Sequence, residues 1–93
     1  MIKSFRGADT KRVFDDLTSK PFQAIHSVAR RKLLTLNAAC SLKDLSAVPG
    51  NRLEPLEGAR AGQHSIRIND QYRVCFVWRQ RDAYDVEITK HYE

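Results

Sequence analysis

Residues 51–78 read NRLEPLEGARAGQHSIRINDQYRVCFVW. Ile66 and Ile68 alternate with Ser65 and Arg67. Beyond a polar gap, Tyr72, Val74, Phe76 and Trp78 alternate with Arg73, Cys75, Val77 and Arg79. This period of two predicts two half-buried strands joined as a β-hairpin, preceded by a short strand from Arg52 and a glycine-containing loop. The apolar residues of both strands must face one core, because a one-residue slip turns one set to solvent. A three-residue loop, Asn69-Asp70-Gln71, meets that demand by setting Ile68 against Tyr72 and Ile66 against Val74. A two-residue turn would oppose Ile66 to Arg73.

The same register puts Arg67 beside Arg73 on the face away from the core. Like charges directly across a strand pair repel. Something anionic is therefore expected there, either acidic side chains or a phosphate. Arg52 and Arg60 lie just upstream and can feed that face. A charge run is otherwise a solvated surface.

Working outward, Met1–Phe5 reads as a short first strand, broken at Gly7-Ala8-Asp9. Asp9 is placed to cap a helix carrying Val13, Phe14 and Leu17 on one side. Pro21 suits the first turn of a second helix. Phe22, Ile25, Val28, Ala29, Leu33 and Leu36 recur at helical spacing up to about Ala39, with Arg30, Arg31 and Lys32 on the polar side. Leu42–Leu45 is one further helical turn, and Val48-Pro49-Gly50-Asn51 a turn. After the hairpin, Gln80–Ala83 connects to a last strand in which Tyr84, Val86 and Ile88 alternate. Two helices followed by an antiparallel sheet make an α+β layer fold.

With 93 residues the chain forms a single domain, residues 1–93, with one core. The net charge of +5 favours nucleic acid or an acidic protein partner. Cys40 and Cys75 lack metal-ligand spacing, and with three scattered histidines there is no zinc signature. Neither a metal nor another cofactor is expected. Free thiols in a reducing cytoplasm are the expectation for the two cysteines. MIKSF is too short and polar for a signal peptide, and no run reaches transmembrane length, so no membrane association is expected.

The string RLEPLEGARAGQHSIRINDQYRVCF resembles the signature of the HigB-type toxins of the RelE/ParE superfamily, the toxin halves of bacterial type II toxin–antitoxin pairs. The opening MIKSF, the segment RKLLTLNAA and the closing VEIT fit the same family, so the resemblance covers nearly the whole chain. It implies a RelE-like fold, with two N-terminal helices packed on one face of a small, mainly antiparallel sheet. It also implies an mRNA interferase that cuts mRNA on the ribosome and is neutralised by a cognate helix-turn-helix antitoxin. Operator DNA is then bound only through the toxin–antitoxin complex.

Metal-free RNA cleavage needs a base for the 2′-hydroxyl, cations for the charge growing on the phosphate, and an acid for the leaving 5′-oxygen. Arginine suits the middle role, because its planar fork holds two phosphate oxygens and keeps its charge. Arg52, Arg60, Arg67 and Arg73 are candidates for phosphate contact, with His64 and Lys90 beside them. Arg73 matches the arginine of the family's second hairpin strand. His91 and Tyr92 are candidates for proton transfer, and Glu54 is either a general base or a salt-bridge partner of Arg52 or Arg67.

The chain also departs from the family pattern. The family usually ends Asp-Tyr-His, whereas here Lys90-His91-Tyr92 stand. Glu54 replaces a histidine of some relatives and Glu57 a lysine. These departures point to catalysis that is weakened or differently arranged. Two other readings stay open: a gyrase-directed binding toxin of the same superfamily, and a weakened toxin that only binds RNA.

Overall fold

The computed structural model describes residues 1–90. In chain order these form α1 (Ala8–Phe14), a 3-10 helix (Lys20–Ile25), α2 (His26–Ala38) and α3 (Leu42–Ser46). There follow β1 (Glu54–Pro55), a 3-10 turn (Gly58–Arg60), β2 (His64–Arg67), β3 (Tyr72–Arg79) and β4 (Asp82–Lys90). The four strands make one antiparallel sheet in the order β1-β2-β3-β4. Helices α1 and α2 pack together on one face of it, which is the expected α+β layer arrangement.

The hairpin register is the one its alternation demands. Ile66 lies opposite Val74, and Arg67 opposite Arg73. The three-residue loop closes with an Ile68 N–H bond to the Tyr72 carbonyl at 3.0 Å. Asn69 Oδ1 accepts from the amides of Gln71 and Tyr72, both at 2.8 Å. That side chain mimics a backbone turn, which is why asparagine suits the position.

Ile66, Ile68, Val74 and Phe76 face the helices and meet Val13, Ala29, Leu33, Leu36 and Leu45, all buried. Phe22, Ile25 and Val28 pack against this core at its margin. The interface is thus made by the predicted helical stripe and the predicted strand alternation.

Five details differ from expectation. Met1–Phe5 is not a continuous strand, but makes two isolated parallel bridges, Ile2 to Ala83 and Phe5 to Val86. It thereby covers the edge of β4 that would otherwise be open. Asp9 is not the cap of α1. The N-cap is Gly7 with φ of 87°, and Asp9 accepts a 3.0 Å bond from the Ser19 hydroxyl. Leu17 lies beyond the end of α1 and is exposed. The helix expected from Pro21 is split, because Phe22 and Ile25 leave helical backbone geometry, so a 3-10 segment precedes α2.

The fifth difference lies in β4. Cys75 pairs with Glu87 but Val77 with Tyr84, so Phe76 faces two residues, Asp85 and Val86. This is a β-bulge, with Asp85 at φ of 53°. It shifts the alternation. Tyr84 therefore leaves the apolar set and lies under the Arg79 guanidinium, 4.3 Å from its ring centre, while Ala83 enters the core. Val86 and Ile88 are buried as expected.

Candidate active site

The face of the sheet away from the helices is defined by register alone. Cross-strand partners point the same way, so Glu54, Ser65, Cys75 and Glu87 form one row across β1–β4. Arg67, Arg73 and Thr89 form the next. The segment between β1 and β2 closes on itself through the Leu56 N–H to Gln63 carbonyl bond of 2.9 Å. It borders this face with Leu56, Glu57, Ala59 and Arg60, and the result is a pocket of about 330 Å³.

Arg73 is its centre. The side chain is only 6% exposed. A buried cation must be matched by acceptors, or the desolvation penalty unfolds the site. Here Nε donates to the Ser65 hydroxyl at 2.7 Å and Nη2 to the Arg52 carbonyl at 2.8 Å. Nη1 lies 3.4 Å from a half-exposed Glu54 carboxylate oxygen. Arg73 is thus fixed in one orientation, while its guanidinium still borders open space on two sides.

The second side is a pocket of about 230 Å³ lined by Arg52, Arg67, Asn69, Asp70 and Arg73. Arg52 adopts left-handed backbone geometry with φ of 46°, uncommon for a residue with a Cβ. The neighbouring Asn51 accounts for the placement. It is fully buried, gives its amide to the Leu45 carbonyl at 3.0 Å and accepts from Lys32 Nζ at 2.6 Å. Its carbonyl accepts from the Arg67 N–H at 2.6 Å. Asn51 therefore ties α2, α3 and the end of β2 to the segment that carries Arg52.

Positive charge accumulates at this end. Arg67 is paired with Asp70 but still faces Arg73 across the strands. Burial, then Arg31, then Arg67 hold the Lys32 amine below the ordinary lysine value. Lys32 is half-buried, with its amine bound to Asn51, and so is only partly solvated.

The structure brings Arg52, Arg67, Arg73 and Glu54 together, but the salt-bridge partner of Glu54 is Arg73, not Arg52 or Arg67. Arg60 lies on the other flank, held by Glu87 and Gln63, each at 3.1 Å. His64 does not join them. It shares the parity of Ile66 and stacks on Phe76 with ring centres 6.3 Å apart, on the helix side of the sheet. Lys90 lies opposite Tyr72, also on that side, at a separate pocket bordered by Pro21, Phe22 and Arg60. His91 and Tyr92 lie outside the described residues.

Sequence reasoning missed Ser65, Cys75 and Thr89, which form the floor of the pocket, with Cys75 Sγ 3.3 Å from Thr89 Oγ1. Parity with Arg73 along the hairpin was the available signal for the first two. Both cysteines are free, Cys40 exposed and Cys75 buried. Among the described residues no three His, Cys, Asp or Glu side chains are grouped to hold a metal ion. No helix among them is long and apolar enough to cross a membrane.

Comparison with known proteins agrees with this architecture. A family model described as the RelE-like toxin of type II toxin–antitoxin system HigB matches residues 3–91. Toxin HigB-1 of Vibrio cholerae is 43% identical over 68 residues, 73% of this chain and 72% of that protein. Among solved structures, a YafQ mutant from E. coli superposes with a TM-score of 0.65 at 10% identity, covering 98% of this chain and 94% of that one. The YoeB–YefM complex from Staphylococcus aureus gives 0.56 at 20% identity, covering 99% of each chain. These two likenesses show the fold; the family model and the Vibrio relative show the kinship. The chain belongs to the HigB-type, RelE-like toxins of type II toxin–antitoxin systems.

Proposed function

We propose that this toxin acts as a ribosome-dependent endoribonuclease whose phosphate seat is Arg73. As a HigB-type toxin the chain is an mRNA interferase, the growth-inhibiting half of a pair completed by an antitoxin. The observation that carries the residue assignment is the setting of Arg73. It is a buried arginine held by acceptors on Ser65, Arg52 and Glu54 and flanked by Arg52 and Arg67 on an open face.

The scissile phosphate sits between Arg73 and the Arg52–Arg67 pocket. Its negative oxygens add to the charge that Asp70 and Glu54 already set against Arg67 and Arg73. The ribose 2′-oxygen attacks phosphorus in line, the bond to the 5′-oxygen breaks, and a 2′,3′-cyclic phosphate and a 5′-hydroxyl result. Glu54, adjacent to Arg73, takes the 2′-hydroxyl proton once phosphate shares its guanidinium. His91 and Tyr92 supply the proton to the leaving oxygen. Glu54 stands where some relatives place a histidine, so the base proposed here is a carboxylate. Arg60 contacts an adjoining part of the RNA after release from Glu87. His64 and Lys90, on the helix side, lie outside the phosphate path, and contact with RNA by Lys90 would run around the edge of β4.

The partner is a helix-turn-helix antitoxin, and operator DNA is bound only through their complex. The site of action is the cytoplasm, where the ribosomes are. Purified toxin mixed with ribosomes programmed with a defined mRNA tests the assignment. Arg73→Ala should lower the cleavage rate by about 10²- to 10³-fold, and Glu54→Gln by about 10²-fold or more. Arg73→Ala cleaving at the wild-type rate would remove Arg73 from the site. Inhibition of gyrase supercoiling without mRNA cleavage would replace this reading with the binding-toxin one.

A further inference from the structure

We propose that the 330 Å³ pocket beside Arg73 is a nucleobase site that selects guanine through Glu57. The inference rests on the endoribonuclease reading and adds to it the base that is read next to the scissile phosphate.

Arg73 is the wall between two unlike spaces. One side is the charged Arg52–Arg67 pocket, suited to a phosphate. The other has apolar surface from Leu56, Ala59 and Cys75, with the charged side chains of Glu54, Glu57 and Arg60 around it. Its volume is in the range of small-molecule sites, about 300 Å³ upward. Apolar walls next to a phosphate seat are what an unstacked base requires. Its faces lose water to the walls while its edge finds hydrogen bonds.

The edge that fits follows from charge. Glu54 is paired with Arg73, and Arg60 with Glu87. Glu57 lines the pocket and makes no ion pair among the described residues. A free carboxylate only accepts hydrogen bonds. Guanine presents two adjacent donors, N1–H and the N2 amino group, and so can bind both carboxylate oxygens. Adenine and cytosine offer one amino donor beside a ring-nitrogen lone pair, which the carboxylate repels. Uracil offers N3–H flanked by two carbonyl oxygens. Only guanine meets Glu57 without a repulsive neighbour.

The test is an amide-resolved NMR titration of the full chain with inorganic phosphate and with each of the four 3′-nucleoside monophosphates. Phosphate should shift Asn69 and Asp70, beside Arg67. Guanosine 3′-monophosphate should also shift Leu56, Ala59 and Thr89, and bind about five- to tenfold more tightly than the other three nucleotides, the low end for a bidentate base contact at an exposed carboxylate. In Glu57→Gln, whose side chain replaces one acceptor by a donor, that preference should collapse while the phosphate shifts persist. Phosphate shifts with equal affinity for all four nucleotides, or a guanine preference unchanged in Glu57→Gln, would overturn the base site and leave the phosphate seat standing. No shift near Arg73 with any of these ligands would overturn both.

Discussion

At the residue scale, Arg73 is held rather than free. Ser65 supplies the neutral acceptor that fixes Nε, and both side chains are buried. Ser65→Ala should therefore lower stability by about 1.5–3 kcal/mol, the usual worth of a hydrogen bond to a charged group, because the buried Nε–H of Arg73 loses its Ser65 acceptor. Urea unfolding measures this directly, and a loss below about 0.5 kcal/mol would mean that Arg73 finds another acceptor. Much at this scale was legible in the sequence. Setting Arg67 against Arg73 needed only the alternation of the hairpin and the length of its loop. Applied consistently, the same parity separates His64 from Arg73, since His64 lies two residues before Ile66. The partners of Arg73 were not legible. The Arg52 carbonyl reaches it only because Asn51, buried and bonded to Lys32 and Leu45, fixes a segment with left-handed geometry at Arg52. Periodicity carries no trace of such a contact.

At the element scale, α1 and α2 are joined by a device that no pattern announced. Asp16, in left-handed geometry just past α1, accepts from His26 Nε2, at the start of α2, at 2.8 Å. That hydrogen bond, followed by the nearby Arg30, holds the Asp16 carboxyl below its ordinary value of 3.8. A depressed carboxyl stabilises the folded state above its unfolded value and loses that contribution as pH falls through the folded one. Asp16→Asn should therefore unfold at lower urea than wild type near neutral pH, and the gap should close as pH drops below 3.8. A gap that persists in acid would assign the effect to packing instead. The apolar stripe of α2 and the hairpin strands were legible because each buries one face at a fixed period. The β4 bulge, the 3-10 start before α2 and the bridging of Met1–Phe5 were not, since each depends on contacts distant in sequence. The Asp85 N–H bond to the Ser4 hydroxyl at 2.8 Å is one example.

For the whole molecule, the layers divide the labour. Helices cover one face of the sheet and bury the core. The opposite face is left to Arg73, its acceptors and the two pockets beside it. A basic chain with net charge +5 concentrates arginines where the sheet is open, and this is the electrostatic setting for a polyanion. Composition and the hairpin already pointed to this division, and the RelE-like layer fold agrees with it. The activity proposed for this face is cleavage of mRNA through Arg73. Primer extension on mRNA from cells producing either the wild type or Arg73→Ala tests it most directly. Reproducible cuts within translated codons that disappear in Arg73→Ala are the predicted result. Growth arrest without cuts, or cuts that survive in Arg73→Ala, would contradict the claim.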